Sequence, residues 1–288
     1  MIVESRRTRY TWQTVKYAFA VLVTIGILAP FLWLIISSVS SAKQLISVPL
    51  QFWPSHPSFW RYGEILHNAD PSSAAYVFRH AMVNSMEIAV VVTTGSLLVG
   101  LFAAYAISRL RFRFKRTMMF FILFTYMIPS ISLVMPMYLI FSHLNMLDSK
   151  WTLALVYSSF VLPYTIWILQ GYMEGIPFEL EESARVDGCS RFCAMVRVIL
   201  PVAIPGVIAT AVFALLLAWD EFLYALILTS STDAKTISVA IAEFVGKNTA
   251  DYGMIAAGGV LAVLPPTIFA FLFQRYIVGG LTAGSVKG

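Results

Sequence analysis

The chain has 288 residues, 59% of them hydrophobic and only 12% charged, about half the charged fraction of a soluble globular domain. This excludes a soluble domain and points to an integral membrane protein. The net charge of +5 is scattered at the ends of apolar runs, so it reports orientation in a bilayer and not nucleic-acid binding.

Residues 1–16 form a basic N-terminal segment with Arg6, Arg7, Arg9 and Lys16. Residues 17–36 then run without a charge, long enough to cross a hydrocarbon core of about 30 Å and longer than the apolar core of a secretory signal. Pro30 is a candidate kink. A polar, turn-rich segment follows over 37–84, with Pro49, Pro54, Pro57, Pro71 and the aromatics Phe52, Trp53, Phe59, Trp60 and Tyr62. It reads as an interfacial anchor, with a docking face for an external partner as the second reading. Further apolar runs cover 88–108, 117–141 (with Pro129 and Pro136), 151–173 (with Pro163), 201–228 and 252–274 (with Pro265 and Pro266). So many prolines imply a packed bundle in which neighbours satisfy the freed carbonyls. The expected fold is an all-α membrane protein with six spans in a domain of residues 17–278 and a tail of 279–288.

Six spans place both termini on one side. Fourteen of the twenty Lys and Arg residues fall on that side, with Arg109–Arg116 the densest cluster, so the termini are expected in the cytoplasm of a multi-pass cell-membrane protein. The polar loop 174–201 between spans four and five is then cytoplasmic. Pro177 suits a first helical turn, Glu179, Glu181 and Glu182 suit the positive end of the helix dipole, and Gly188 suits a C-terminal stop. Phe178, Leu180, Ala184 and Val186 give the helix an apolar side. Pattern alone leaves two readings open, a helix lying on the membrane and a helix that docks a cytoplasmic partner.

Little in the chain is suited to catalysis. No phosphate-cradling G-x-x-x-x-G-K-[ST] loop occurs, nor a nucleophile elbow. His56, His67, His80 and His143 form no ligand pair. Cys189 and Cys193 are too few for a structural zinc site and read as packing residues, with no disulfide framework implied. Asp220 and Glu221 stand in the outer half of the fifth span with Trp219 and Tyr224. Intramembrane carboxylates should face the bundle interior, a partner subunit or a wet path. They read either as a network tying helix ends together or as lining for a substrate route.

The spacing Glu182-Ser183-Ala184, then Gly188, then Val198-Ile199-Leu200-Pro201 resembles the E-A-A…G…I-x-L-P loop of ABC importer permeases, with Ser183 and Val198 departing from the pattern. The tail Gln274 to Gly288, together with Asn84-Ser85, Ala104-Tyr105-Ala106 with Arg109, and Trp219-Asp220-Glu221-Phe222, is similar to the maltose-type, carbohydrate-uptake permeases. The resemblance implies a non-catalytic permease subunit that translocates a sugar or oligosaccharide. Its partners would be a second related permease, a dimeric cytoplasmic ATPase that holds the ATP and Mg, and an extracytoplasmic solute-binding protein. This chain would bind no cofactor and no metal itself. Glu179, Glu182, Ser183, Ala184, Asp187, Gly188 and Pro201 would couple it to the ATPase, and Thr282, Gly284 and Lys287 would touch the ATPase from the tail. A glycerol-phosphate-type importer is the alternative within the family, and an ion-coupled secondary transporter the alternative outside it.

Overall fold

The computed structural model describes residues 6–246 and 251–283, with side chains over 12–243 and 251–279. Among the described residues there is helix and loop but no strand. The helices are α1 (Arg6–Val39), α2 (Ala42–Leu45), α3 (Trp60–His67), α4 (Ala74–Arg109), α5 (Lys115–Tyr126), α6 (Ser130–His143), α7 (Lys150–Glu174), α8 (Phe178–Val186), α9 (Arg191–Ala194), α10 (Leu200–Trp219), α11 (Leu223–Leu228), α12 (Ile237–Gly246) and α13 (Tyr252–Ala283). A π-helical turn, Met195–Ile199, joins α9 to α10.

Five of these segments are long and apolar enough to cross a membrane, namely α1, α4, α7, the continuous run Arg191–Trp219, and α13. The third expected span is not one helix. It breaks at Met127–Pro129 into α5 and α6, bent by 85°. Pro129, at ψ 124° just before α6, disfavours a helical residue before it and cannot donate backward. Pro136 lies within α6 without ending it. The fifth run also stops early, because α10 ends at Trp219 and α11 starts afresh at Leu223. Helix α4 is longer than its uncharged core: its 36 residues extend about 54 Å at 1.5 Å per residue, well beyond the bilayer core. Helix α13 continues past residue 278 to Ala283.

The described residues divide into two compact units, one within Met1–Asn68 and Phe244–Leu261, the other within Ala69–Glu243 and Ala262–Gly288. In the first, an 18-residue apolar stretch of α1 buries none of its residues. Ser41 starts α2 with a capping box shared with Gln44. In the second, α4, α7 and α10 pack on one another around Ile88, Val92, Leu153, Val156, Tyr157, Ala214 and Ala218. The helices approach through small residues, as membrane helices do. A Cβ on Gly100 would lie 2.8 Å from Thr165 Cγ2, and one on Gly206 would lie 2.3 Å from the Tyr172 ring. A second apolar cluster of Ala104, Tyr105, Leu169, Met173, Ile176, Met195, Ile199 and Ala203 joins the ends of α4 and α7 to the π-turn. It forms the platform on which the polar loop sits.

Candidate functional site

Helix α7 ends at Glu174 and leaves its last carbonyls without partners inside the helix. Arg109, the last residue of α4, serves this helix end: its Nη2 donates to Met173 O in the last turn and to Ile176 O just beyond it, each at 2.7 Å. Pro177, at ψ 138°, stands one residue ahead of α8 and not within its first turn. Its extended backbone turns the chain out of α7 before α8 begins.

Helix α8 carries Glu179 and Glu181 in its first turn, where they complement the dipole. Its end is a Schellman motif: Cys189 N–H donates to Ala184 O at 3.0 Å and Gly188 N–H to Arg185 O at 3.1 Å. Gly188 has φ +92°, a conformation that costs any residue with a Cβ. Asp187 closes the turn, its N–H donating to Ser183 O at 3.0 Å. The chain then restarts at Ser190, whose hydroxyl accepts from Cys193 N–H at 3.2 Å. The π-turn just before Pro201 has a covalent cause. Pro201 cannot donate to Arg197 O and its ring crowds that carbonyl. The helix widens by one residue, and Leu200 N–H reaches Met195 O instead.

The apolar side expected of α8 does not pack as a set. Glu181 and Ala184, three residues apart on one face, are buried against α9 and the π-turn region. Phe178, Leu180 and Val186 are exposed, Val186 by 86%, alongside exposed Glu179, Glu182, Ser183, Asp187 and Gly188. The outer face of α8 is thus acidic and apolar together. Pro201 is also exposed but stands beyond the π-turn, at the start of α10.

The structure adds three residues to this site: Glu181, Tyr105 and Arg109. The Tyr105 hydroxyl donates to Glu181 Oε1 at 2.7 Å. Arg109 Nε lies 3.9 Å from Glu181 Oε2, and its guanidinium carbon is 4.4 Å from the centre of the Phe178 ring, within cation–π range. Arg109 is buried, whereas Arg111, Arg113 and Arg116 of the same basic cluster are exposed. The signal available in the sequence was the three-residue spacing of Glu181 to Ala184 and the position of Arg109 at the end of an apolar run.

The outer carboxylates are separated by a helix break. Asp220, expected to face the bundle interior, a partner subunit or a wet path, is exposed at the end of α10. Glu221 caps α11, its Oε1 accepting from Tyr224 N–H at 2.9 Å and its Oε2 from Ala225 N–H at 3.2 Å. A carboxylate used this way satisfies donors that the helix start leaves open. Trp219 and Tyr224 are buried. The Tyr224 ring stacks on Phe160 with centroids 6.2 Å apart, and its hydroxyl donates to Ser130 O at 3.4 Å. Of the tail residues, Thr282 falls in the backbone of α13, and Gly284 and Lys287 lie outside the described residues. Among the described residues no group of three or more His, Cys, Asp or Glu is placed to hold a metal.

Comparison with known proteins gives a consistent result. The family described as binding-protein-dependent transport system inner membrane component matches residues 96–282. The trehalose/maltose transport system permease protein of Thermococcus litoralis is 34% identical over 270 residues, covering 93% of this chain and 95% of that one. The trehalose transport system permease protein of Mycobacterium tuberculosis is 39% identical over 214 residues, 74% of this chain and 78% of that one. The galactooligosaccharides transport system permease protein of Bacillus subtilis is 31% identical over 289 residues, the full length of both. Among solved structures, a chain of a bacterial ABC transporter for the import of alginate superposes with a TM-score of 0.78. That match has 21% identity and covers 96% of this chain and 99% of that one.

Proposed function

Because the chain belongs to the family of binding-protein-dependent transport system inner membrane components, we propose that it is one permease subunit of an ATP-driven importer. The solute is a sugar or oligosaccharide, handed over by an extracytoplasmic binding protein. A second related permease completes the pore, and a pair of cytoplasmic ATPase subunits supplies the energy. The names borne by the relatives above support the carbohydrate class.

The observation that carries the coupling role is the division of α8. It buries Glu181 and Ala184 and leaves Glu179 and Glu182 exposed beside Phe178, Leu180 and Val186. A carboxylate standing among exposed apolar side chains, on a rigid helix outside the spans, suits a cleft with an apolar floor and a basic group at its rim. Helix α8 is then the coupling helix, Glu182 its contact to the basic group, and Gly188 the turn that lets the chain leave. The bias of basic residues supports a cytoplasmic position for this loop and for both termini. The tail residues Thr282, Gly284 and Lys287 are assigned to the same partner on the family resemblance alone. Trp219, Asp220, Glu221 and Tyr224 are assigned to helix ends before any substrate path, since the Glu221 carboxylate is engaged as a cap.

The test is co-purification. The tagged chain should bring down an ATPase and a second permease, and Glu182→Lys should release the ATPase while membrane insertion continues. Retention of the ATPase by that variant, or transport by the purified chain alone down an ion gradient, would overturn the reading.

A further inference from the structure

We propose that Arg109 is the positioning residue that makes α8 move as one body with the adjoining ends of α4 and α7, so that force arriving at the exposed face of α8 reaches the span core. The proposal rests on the coupling reading of α8 given above.

The argument starts from how little apolar contact holds α8. It has nine residues, and its buried side chains are Ala184 and Glu181. One methyl group gives too little burial to keep a short helix seated under load. The remaining attachment is polar and converges on one side chain. Arg109 belongs to α4, bonds the Met173 carbonyl in the last turn of α7 and the Ile176 carbonyl in the turn that follows, at 2.7 Å each, and meets α8 twice, at the Phe178 ring and at Glu181 Oε2. Three elements therefore share one planar group. Tyr105, one turn earlier on α4, adds a directional bond to the other Glu181 oxygen. Burial strengthens each of these contacts.

The chemistry requires arginine. A lysine carries its charge on one atom and has no plane to lay over Phe178 while reaching two carbonyls. The Glu181 carboxylate is required by the same burial, because an unpaired guanidinium there would be costly. Two adjacent carboxylates thus have opposite duties. Glu182 points outward to the partner, and Glu181 points inward, bonded to the Tyr105 hydroxyl and facing the Arg109 charge at 3.9 Å without a hydrogen bond between them.

The experiment uses the assembled complex in liposomes, with Cys189 and Cys193 changed to Ser. Spin labels are placed at Leu98 on α4 and Arg185 on α8, both exposed. Their separation is measured by pulsed electron paramagnetic resonance without nucleotide and after trapping with ATP and vanadate. With Arg109 present, one narrow distance is expected, the same in both states. In Arg109→Met, the narrow distance should be lost and should depend on nucleotide, while the complex still hydrolyses ATP. A residue that only aided folding would lower the yield of complex without changing the distance in what assembles. If Arg109→Met does not assemble, Arg109→Lys, which keeps the charge, carries the same expectation. A single unchanged distance in the assembled variant overturns the proposal, as does a nucleotide-dependent distance in the protein with Arg109. Failure of the coupling reading shows differently: Glu182→Lys would keep its ATPase, whatever the distance between α4 and α8.

Discussion

Arg61 and Asp251 meet side by side, with Arg61 Nε 3.3 Å from Asp251 Oδ2 and Nη2 3.2 Å from Oδ1. The same guanidinium donates through Nη1 to Ser38 O at 3.2 Å and Ser40 O at 2.7 Å, so it ties the end of α1, helix α3 and the start of α13. Arg61 is 2% exposed while the Asp251 side chain is about one third exposed. Asp251→Ala would strand a buried charge and should cost about 3 kcal/mol, the low end for breaking a buried pair. The melting temperature of the solubilised protein reads this. Gly253→Ala should be at least as damaging, because its Cβ would stand 2.1 Å from the guanidinium carbon.

The neighbouring carboxylates of α8 should respond in opposite ways to the same change. Glu182 is exposed, so Glu182→Ala should leave stability within about 0.5 kcal/mol while weakening ATPase retention. Glu181→Ala removes the acceptor of the Tyr105 hydroxyl and the charge facing buried Arg109. It should cost about 3 kcal/mol or more. Thermal unfolding of both variants, beside ATPase pull-down, separates the two effects. Equal melting temperatures would contradict the burial pattern.

These two helix ends show what could be read from the chain and what could not. Helix α8 was legible because its signals are local: acids in its first turn and Gly188 after it, with Pro177 standing just outside the first turn in which it was expected. The five long apolar segments were legible from their uncharged runs. The partner of Glu181 was not, since Tyr105 lies 76 positions away and nothing in composition distinguishes Glu181 from Glu179 or Glu182. The bend at Pro129 was hidden for another reason. Two prolines share that run, and only packing decides that Pro129 starts α6 while Pro136 is absorbed within it. The break after Trp219 depends on Glu221 turning back to cap α11, a use of a carboxylate that reads in sequence as a charge inside a span.

That cap gives a third prediction. Glu221→Ala frees the N–H groups of Tyr224 and Ala225 and should cost about 1 kcal/mol, as for other helix caps. Asp220→Asn changes an exposed group at the end of α10 and should alter stability little. If the pair serves only the helix ends, uptake by Asp220→Asn will match the parent protein. A large loss of uptake with unchanged melting would instead assign Asp220 to the solute path.

Acid sensitivity should be visible at Asp148, in the loop between α6 and α7. Burial raises its carboxyl, but the backbone N–H groups of Ser230 and Ser231, at 2.8 and 2.9 Å, outweigh that and hold it below the usual carboxylate range. A depressed folded-state pKa adds stability that is complete above the unfolded value of about 3.9. This stability disappears as pH falls through the folded value. Asp148 has φ +57° and its own N–H donates to Leu228 O at 2.8 Å. Asn tolerates that backbone conformation and can still accept both serine N–H bonds. Asp148→Asn therefore removes the charge and keeps the geometry. Melting temperatures measured from pH 6 down toward about pH 3 should fall less steeply in the variant than in the parent protein. Parallel curves would mean that this carboxylate titrates alike in the folded and unfolded chain.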